Sequence, residues 1–207
     1  MKFNKDEKKE ILLEMQKLLR EEKYKGGLGG AYKMQDDLFL KVSYDITPIN
    51  KLYIWTSVKK CSYDEFFWDI MNMSDNRNEG VAFRARGAFV SPTVTVEWTL
   101  LDFPEDENEY DFFKRNLKSA LEKLDDFIAS NDLNYYILDK IDVQNGGTLA
   151  DGDLLKCLAY CDLGDIEKAK QVAQRELQNG NEGGFENEGK NFFEWMLLYD
   201  PGEKAQS

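Results

Sequence analysis

Residues 38–60 read LFLKVSYDITPINKLYIWTSVKK, two alternating runs joined by a Thr-Pro-Ile-Asn turn. In an extended chain, successive side chains point to opposite faces. Leu38, Leu40, Val42, Tyr44 and Ile46 therefore share one face of a strand, with Phe39, Lys41, Ser43, Asp45 and Thr47 opposite. Leu52, Ile54, Thr56 and Val58 repeat the pattern, with Tyr53, Trp55 and Ser57 on the other side. Such a pair fits the centre of an antiparallel sheet with one covered face, and the rest of the chain must supply the cover.

Covering elements are legible on both sides. Residues 5–23 carry Ile11, Leu12, Met15, Leu18 and Leu19 at helical spacing, with Asn4 as cap and Asp6 and Glu7 in the first turn. The glycine run 26–30 then closes this helix and leads into a strand over 31–35. It is not a phosphate loop, because a helix precedes it and a strand follows, and Tyr32 takes the last position of G-x-G-x-x-G. Ser62 and Glu65 have the spacing of a capping box for a helix over 63–73. Residues 81–92 and 93–103 read as two further strands, with Val94, Val96, Trp98 and Leu100 on one face and Thr95, Glu97 and Thr99 on the other. A long helix over about 107–130 follows, with a stripe of Phe112, Phe113, Leu117, Leu121, Leu124 and Ile128. Beyond residue 131 the pattern is helical: 133–141, 154–163, 166–178 and 190–199.

The expected fold is α+β. An antiparallel meander of about five strands is packed by helices within residues 1–130, and a helical portion, 131–207, docks on it as one compact unit.

Charge restricts the partners. The chain has 27 basic and 39 acidic residues, a net charge of −12. Residues 1–60 hold 13 basic and 9 acidic groups, or +4, and residues 61–207 hold 14 and 30, or −16. Excess acid disfavours nucleic acid, whose phosphates call for Lys and Arg. It serves solubility, and it suits a cationic protein.

Composition also narrows the chemistry. The chain has no histidine, which excludes Ser-His-Asp triads, Cys-His pairs and Cys/His zinc sites. No G-x-x-x-x-G-K-[ST] occurs. Cys61, Cys157 and Cys161 form no disulfide framework and read as free thiols. Residues 142–153 resemble a calcium loop only in their end acids and Gly147, since Gln144 and Gly146 occupy ligand positions. No cofactor, metal or catalytic residue is therefore nominated. The first residues, MKFNKDEKKEILLEM, are too charged for a secretory signal, and no apolar run reaches membrane-spanning length. The expected setting is the cytoplasm, away from membrane; the oligomeric state is not legible.

Five residues stand out as candidate binding groups. Arg84 and Arg86 would project from one face of their strand and could take carboxylates or phosphates, or pair across the sheet. Glu97 would stand on a strand between threonines, beside Trp98. With Tyr53 the three could line a polar concavity. Tyr53 and Trp55, with Phe39, put aromatics on a nominally polar face, which requires either a second covering layer or a partner.

Two stretches resemble known families. LAYCDLGDIEKA, residues 158–169, resembles the junction of a tetratricopeptide helical hairpin, where Gly-Asp closes one helix and caps the next. That family stacks units of about 34 residues, so a single unit implies a hairpin and not a peptide-binding solenoid. LYIWTSVKKCSYDEFFWDI and GVAFRARGAFVSP, within the order of charged helix, meander and helices, resemble uncharacterised bacterial α+β domains, some of them suspected toxin-immunity proteins. The expectation is a non-enzymatic protein-binding module taking a basic partner. The alternative is a small-molecule binder or hydrolase using a polar sheet face.

Overall fold

A computed structural model describes residues 3–141 and 149–202. It shows an α+β protein in two compact units, one formed by Met1–Lys59 with Thr93–Asn131 and the other by Lys60–Pro92 with Asp132–Ser207. Residues 60–92 group with the C-terminal helices. The calcium-like loop falls mostly outside the described residues.

In the first unit, Asn4 caps helix α1 (Lys5–Glu21) in a reciprocal box with Glu7. The glycine run does not cap this helix, which closes at Glu22 with Lys23 in the left-handed region; the run forms a hairpin instead. Strand β1 (Lys25–Gly27) pairs antiparallel with β2 (Gly30–Gln35), leaving Leu28 and Gly29 as the turn. Gly26 has φ +151°, and a Cβ there would meet the Gly30 carbonyl oxygen at 2.3 Å, so only glycine fits. A two-residue Asp36-Asp37 turn leads to β3 (Leu38–Ile46), with Asp36 in the left-handed region that aspartate tolerates. The 47–50 turn closes by Asn50 N–H donating to the Thr47 carbonyl, 2.9 Å, and leads to β4 (Lys51–Lys60).

Strand β5 (Val94–Asp102) completes an antiparallel sheet ordered β1-β2-β3-β4-β5. Helices α1 and α4 (Glu109–Ser130) contribute Met15, Leu18, Leu19, Phe113, Leu117 and Leu124 to a core that includes Leu40, Val42, Leu52 and Ile54. This core is the face expected from the alternation in 38–60.

The second unit begins with α2 (Cys61–Ile70). The expected Ser62 box is not made: the helix starts two residues earlier, with Lys60 at the cap position and no capping side chain. A 3-10 turn (Ser74–Asn78) precedes a short helix, α3 (Val81–Arg86). This corrects the strand expected over 81–92. Ala and Arg favour helix, and the span is stabilised by contacts that local alternation does not encode. Helices α5 (Leu133–Lys140), α6 (Leu149–Asp162), α7 (Ile166–Gln178) and α8 (Phe192–Leu198) follow, with a two-stranded hairpin of β6 (Glu186–Asn187) and β7 (Lys190–Asn191) before α8. Gly164, at φ +77°, ends α6, and the Asp165 carboxylate caps α7 by accepting from Lys168 N–H. Ala169 is buried, so α6 and α7 form the close hairpin that the Gly-Asp junction predicts.

Candidate functional site

The register of β4 and β5 decides what the sheet presents. Lys51 opposes Asp102, Tyr53 opposes Leu100, Trp55 opposes Trp98 and Thr56 opposes Glu97; then Ser57 opposes Thr95. Val96 is therefore an extra residue, a bulge in β5. A single inserted residue reverses the alternation beyond it. Val94 stays in the core opposite Val58, and Glu97 takes the same face opposite Thr56. Trp98 and Leu100 turn to the opposite face, beside Trp55 and Tyr53.

The apolar stripe read as Val94, Val96, Trp98 and Leu100 is thus broken in two. Trp98 is 60% exposed and Leu100 38%. Tyr53 and Trp55 are half-buried. Trp98 stands edge-on to Tyr53, ring centroids 6.4 Å apart. The Trp55 indole N–H donates to Thr95 Oγ1 at 3.1 Å, and Lys41 Nζ lies 5.5 Å from the Trp55 ring centroid. Burial lowers the pKa of Lys41 and raises that of Tyr53, the latter offset in part by a hydrogen bond from Trp98. Phe39, on the same face, is wholly buried, stacked on Tyr32 and approached by Lys59 Nζ at 5.6 Å. The aromatic face is therefore covered around Phe39 and open around Trp98.

Glu97 is not on that open face. Its Oε1 accepts from Lys123 Nζ of α4 at 2.9 Å and from Thr99 Oγ1 at 2.8 Å. Burial works to raise its pKa, and these two donors with the Lys123 charge outweigh it, leaving the carboxyl below its ordinary range.

The arginines lie elsewhere, in the second unit, on α3. Arg84 donates from Nη1 to Asp64 Oδ2 at 3.1 Å and to the Cys61 carbonyl at 2.8 Å, and from Nη2 to Glu65 at 3.2 Å. Its guanidinium carbon is 4.9 Å from the Trp68 ring centroid. Asp64 is wholly buried and also accepts from the Ser91 amide and hydroxyl, at 2.8 and 2.7 Å. Arg84 is thus held by internal acids, while Arg86 is exposed. The structure brings Tyr53 and Trp55 together and does not place Arg84, Arg86 and Glu97 on a shared strand face.

Two further polar networks escaped the sequence reading. Asp162 accepts from Lys60 Nζ at 2.8 Å and from Asn134 Nδ2 at 2.7 Å, and Asn134 Oδ1 accepts from the Tyr63 hydroxyl at 2.7 Å. Burial raises the Asp162 carboxyl, but Lys60, Ser62 and Asn134 together hold it below its ordinary range. Asp69 pairs with Ser74 and Arg77. No sequence spacing links these partners. Among the described residues, no three His, Cys, Asp or Glu side chains are grouped to hold a metal, and no helix is long and apolar enough to cross a membrane.

Just past β5, Phe103 packs edge-on to Phe3 and against Phe112, fixing the start of a strongly acidic segment. Asp102, Glu105, Asp106 and Asp111 are exposed there. Residues 93–131, spanning β5 and α4, hold ten acidic and four basic groups, or −6. No family model matches the chain, and no curated protein or solved structure shows significant similarity to it.

Proposed function

We propose that this chain is a non-enzymatic binding module of the bacterial cytoplasm that takes a basic protein partner. The observation that carries the reading is the open aromatic surface of Trp98, Leu100, Tyr53 and Trp55 next to the acidic segment that follows β5. Exposed tryptophan and tyrosine supply large contact area at low entropic cost, and indole faces attract cations. Lys41 over Trp55 shows that chemistry within the sheet itself. The acidic segment after β5 speeds encounter with a cationic partner. Immunity-like blocking of a toxin is the form of this role implied by the family resemblance of residues 52–70 and 80–92. The alternative of a polar sheet-face site finds no grouping to rest on, since Arg84 is held by Asp64 and Glu97 by Lys123.

The test is affinity recovery of the tagged chain from its own cells at low and high salt, alongside Trp98→Ala. A basic protein should be recovered at low salt, and lost both at high salt and with the variant. A partner retained equally at high salt overturns the electrostatic reading.

A further inference from the structure

Resting on that reading, we infer that the free edge of β5 accepts an extended cationic segment of the partner as an added strand. Strand β5 ends the sheet, and no further strand pairs with it among the described residues. An edge strand presents unpaired N–H and C=O groups, and an extended peptide that pairs with them gains main-chain hydrogen bonds. No residue from 95 to 102 is buried, and Trp98, Leu100 and Asp102 are exposed. Beyond the bulge at Val96, residues 97–102 are regular, each with a partner in β4. The edge is therefore straight enough there to template a short strand.

Side chains on the added strand would alternate between two environments. On the outer face they would meet Trp98 and Leu100, which suits aromatic or aliphatic groups and the stems of lysine or arginine. At the C-terminal end of β5 they would meet Glu105 and Asp106, both exposed, and Asp102, which is exposed but already paired with Lys51 at 3.0 Å. The net charge of −6 over residues 93–131 disfavours the approach of a second copy to this edge. The edge is thus protected against its own kind and open to a basic strand.

Random linear decapeptides displayed on phage are selected on the immobilised full chain, and the most enriched sequence is synthesised. The expected peptide is proline-free, net positive and alternating. When bound, it slows amide hydrogen exchange in residues 97–102, and methylation of its alternate backbone nitrogens abolishes binding. The double variant E105K/D106K, checked for folding by circular dichroism, should bind it about tenfold more weakly, a change of about 1.4 kcal/mol. Failure to enrich cationic peptides overturns the inference, as does binding without protection of 97–102. So does a dimer by light scattering whose β5 amides are already protected without peptide. Should the basic partner recovered from cells depend on Trp98 yet leave β5 amides unprotected, strand addition fails while the binding-module reading stands.

Discussion

Val94 and Glu97 share the helix-covered face of β5 although they stand three positions apart, because Val96 is an extra residue in the strand. The bulge keeps a valine in the core and turns a tryptophan out of it. Truncating Val94, which is 1% exposed, removes buried methyl groups. Val94→Ala should cost about 1–3 kcal/mol. Trp98→Ala removes a far larger side chain, yet should cost no more than about 1 kcal/mol, the scale of its edge-on contact with Tyr53. Urea denaturation of both variants decides. Equal or greater loss at Trp98 would mean that the alternation runs unbroken and that Trp98 belongs to the core.

Arg84 and Arg86 differ in the same test. Arg84 neutralises a wholly buried Asp64, and removing one partner of a buried pair leaves an uncompensated charge. Arg84→Ala should destabilise by about 3–5 kcal/mol. Arg86 is exposed at the end of α3, and Arg86→Ala should stay within about 0.5 kcal/mol. A ligand-binding role for Arg84 would give the reverse signature, with little change in stability.

What was legible in the sequence follows from locality. Helix α1 announced itself through Asn4 as cap, Asp6 and Glu7 in the first turn, and an apolar stripe from Ile11 to Leu19. Strands β3 and β4 did so through unbroken alternation, with Leu40, Val42, Leu52 and Ile54 all buried as their pattern implied. The α6–α7 junction was carried by Gly164 and Asp165 alone. Residues 81–86 were misread because VAFRAR alternates like a strand, whereas its helix is anchored by Arg84 reaching Asp64, twenty residues earlier. The outward turn of Trp98 was invisible for a similar reason. A bulge is defined by the neighbouring strand's register, which no run of β5 residues specifies by itself. Of the five candidate residues, only Tyr53 and Trp55 fall together, because their position depended on the regular strand β4.

Stability should fall in acid through identifiable carboxylates. Asp162 is held below its ordinary range by Lys60, Ser62 and Asn134 against the opposing effect of burial. Glu97 behaves alike with Lys123 and Thr99, and so does Glu176 with Asn181 and Arg175. Each binds its proton more weakly in the folded chain than in the unfolded one. The stabilisation is therefore complete above about pH 5 and is lost as pH falls below about 4, through the lowered folded-state values. The urea midpoint should drop across that window, and less steeply in Asp162→Asn. A midpoint that is flat with pH, or a variant that tracks the parent, would count against this assignment.

The thiols should separate cleanly by reactivity. Cys157 is wholly buried on α6, and its Sγ donates to the Ala169 carbonyl at 3.4 Å. Burial raises its pKa well above the usual thiol value, with Cys161 and nearby acids adding to the effect. Cys161 is pushed up to about 12, chiefly by burial and then by Asp162. Since the thiolate is the reacting form, both should resist alkylation while the chain is folded. Cys61, at the start of α2, is only partly buried. Iodoacetamide at pH 8 should therefore place a single label on the native chain, at Cys61, and label all three cysteines in urea. Mass spectrometry of the digested protein reads the positions. Rapid native labelling at Cys157 or Cys161 would mean that the α6–α7 hairpin opens easily, and its core would then not be the rigid part of the second unit.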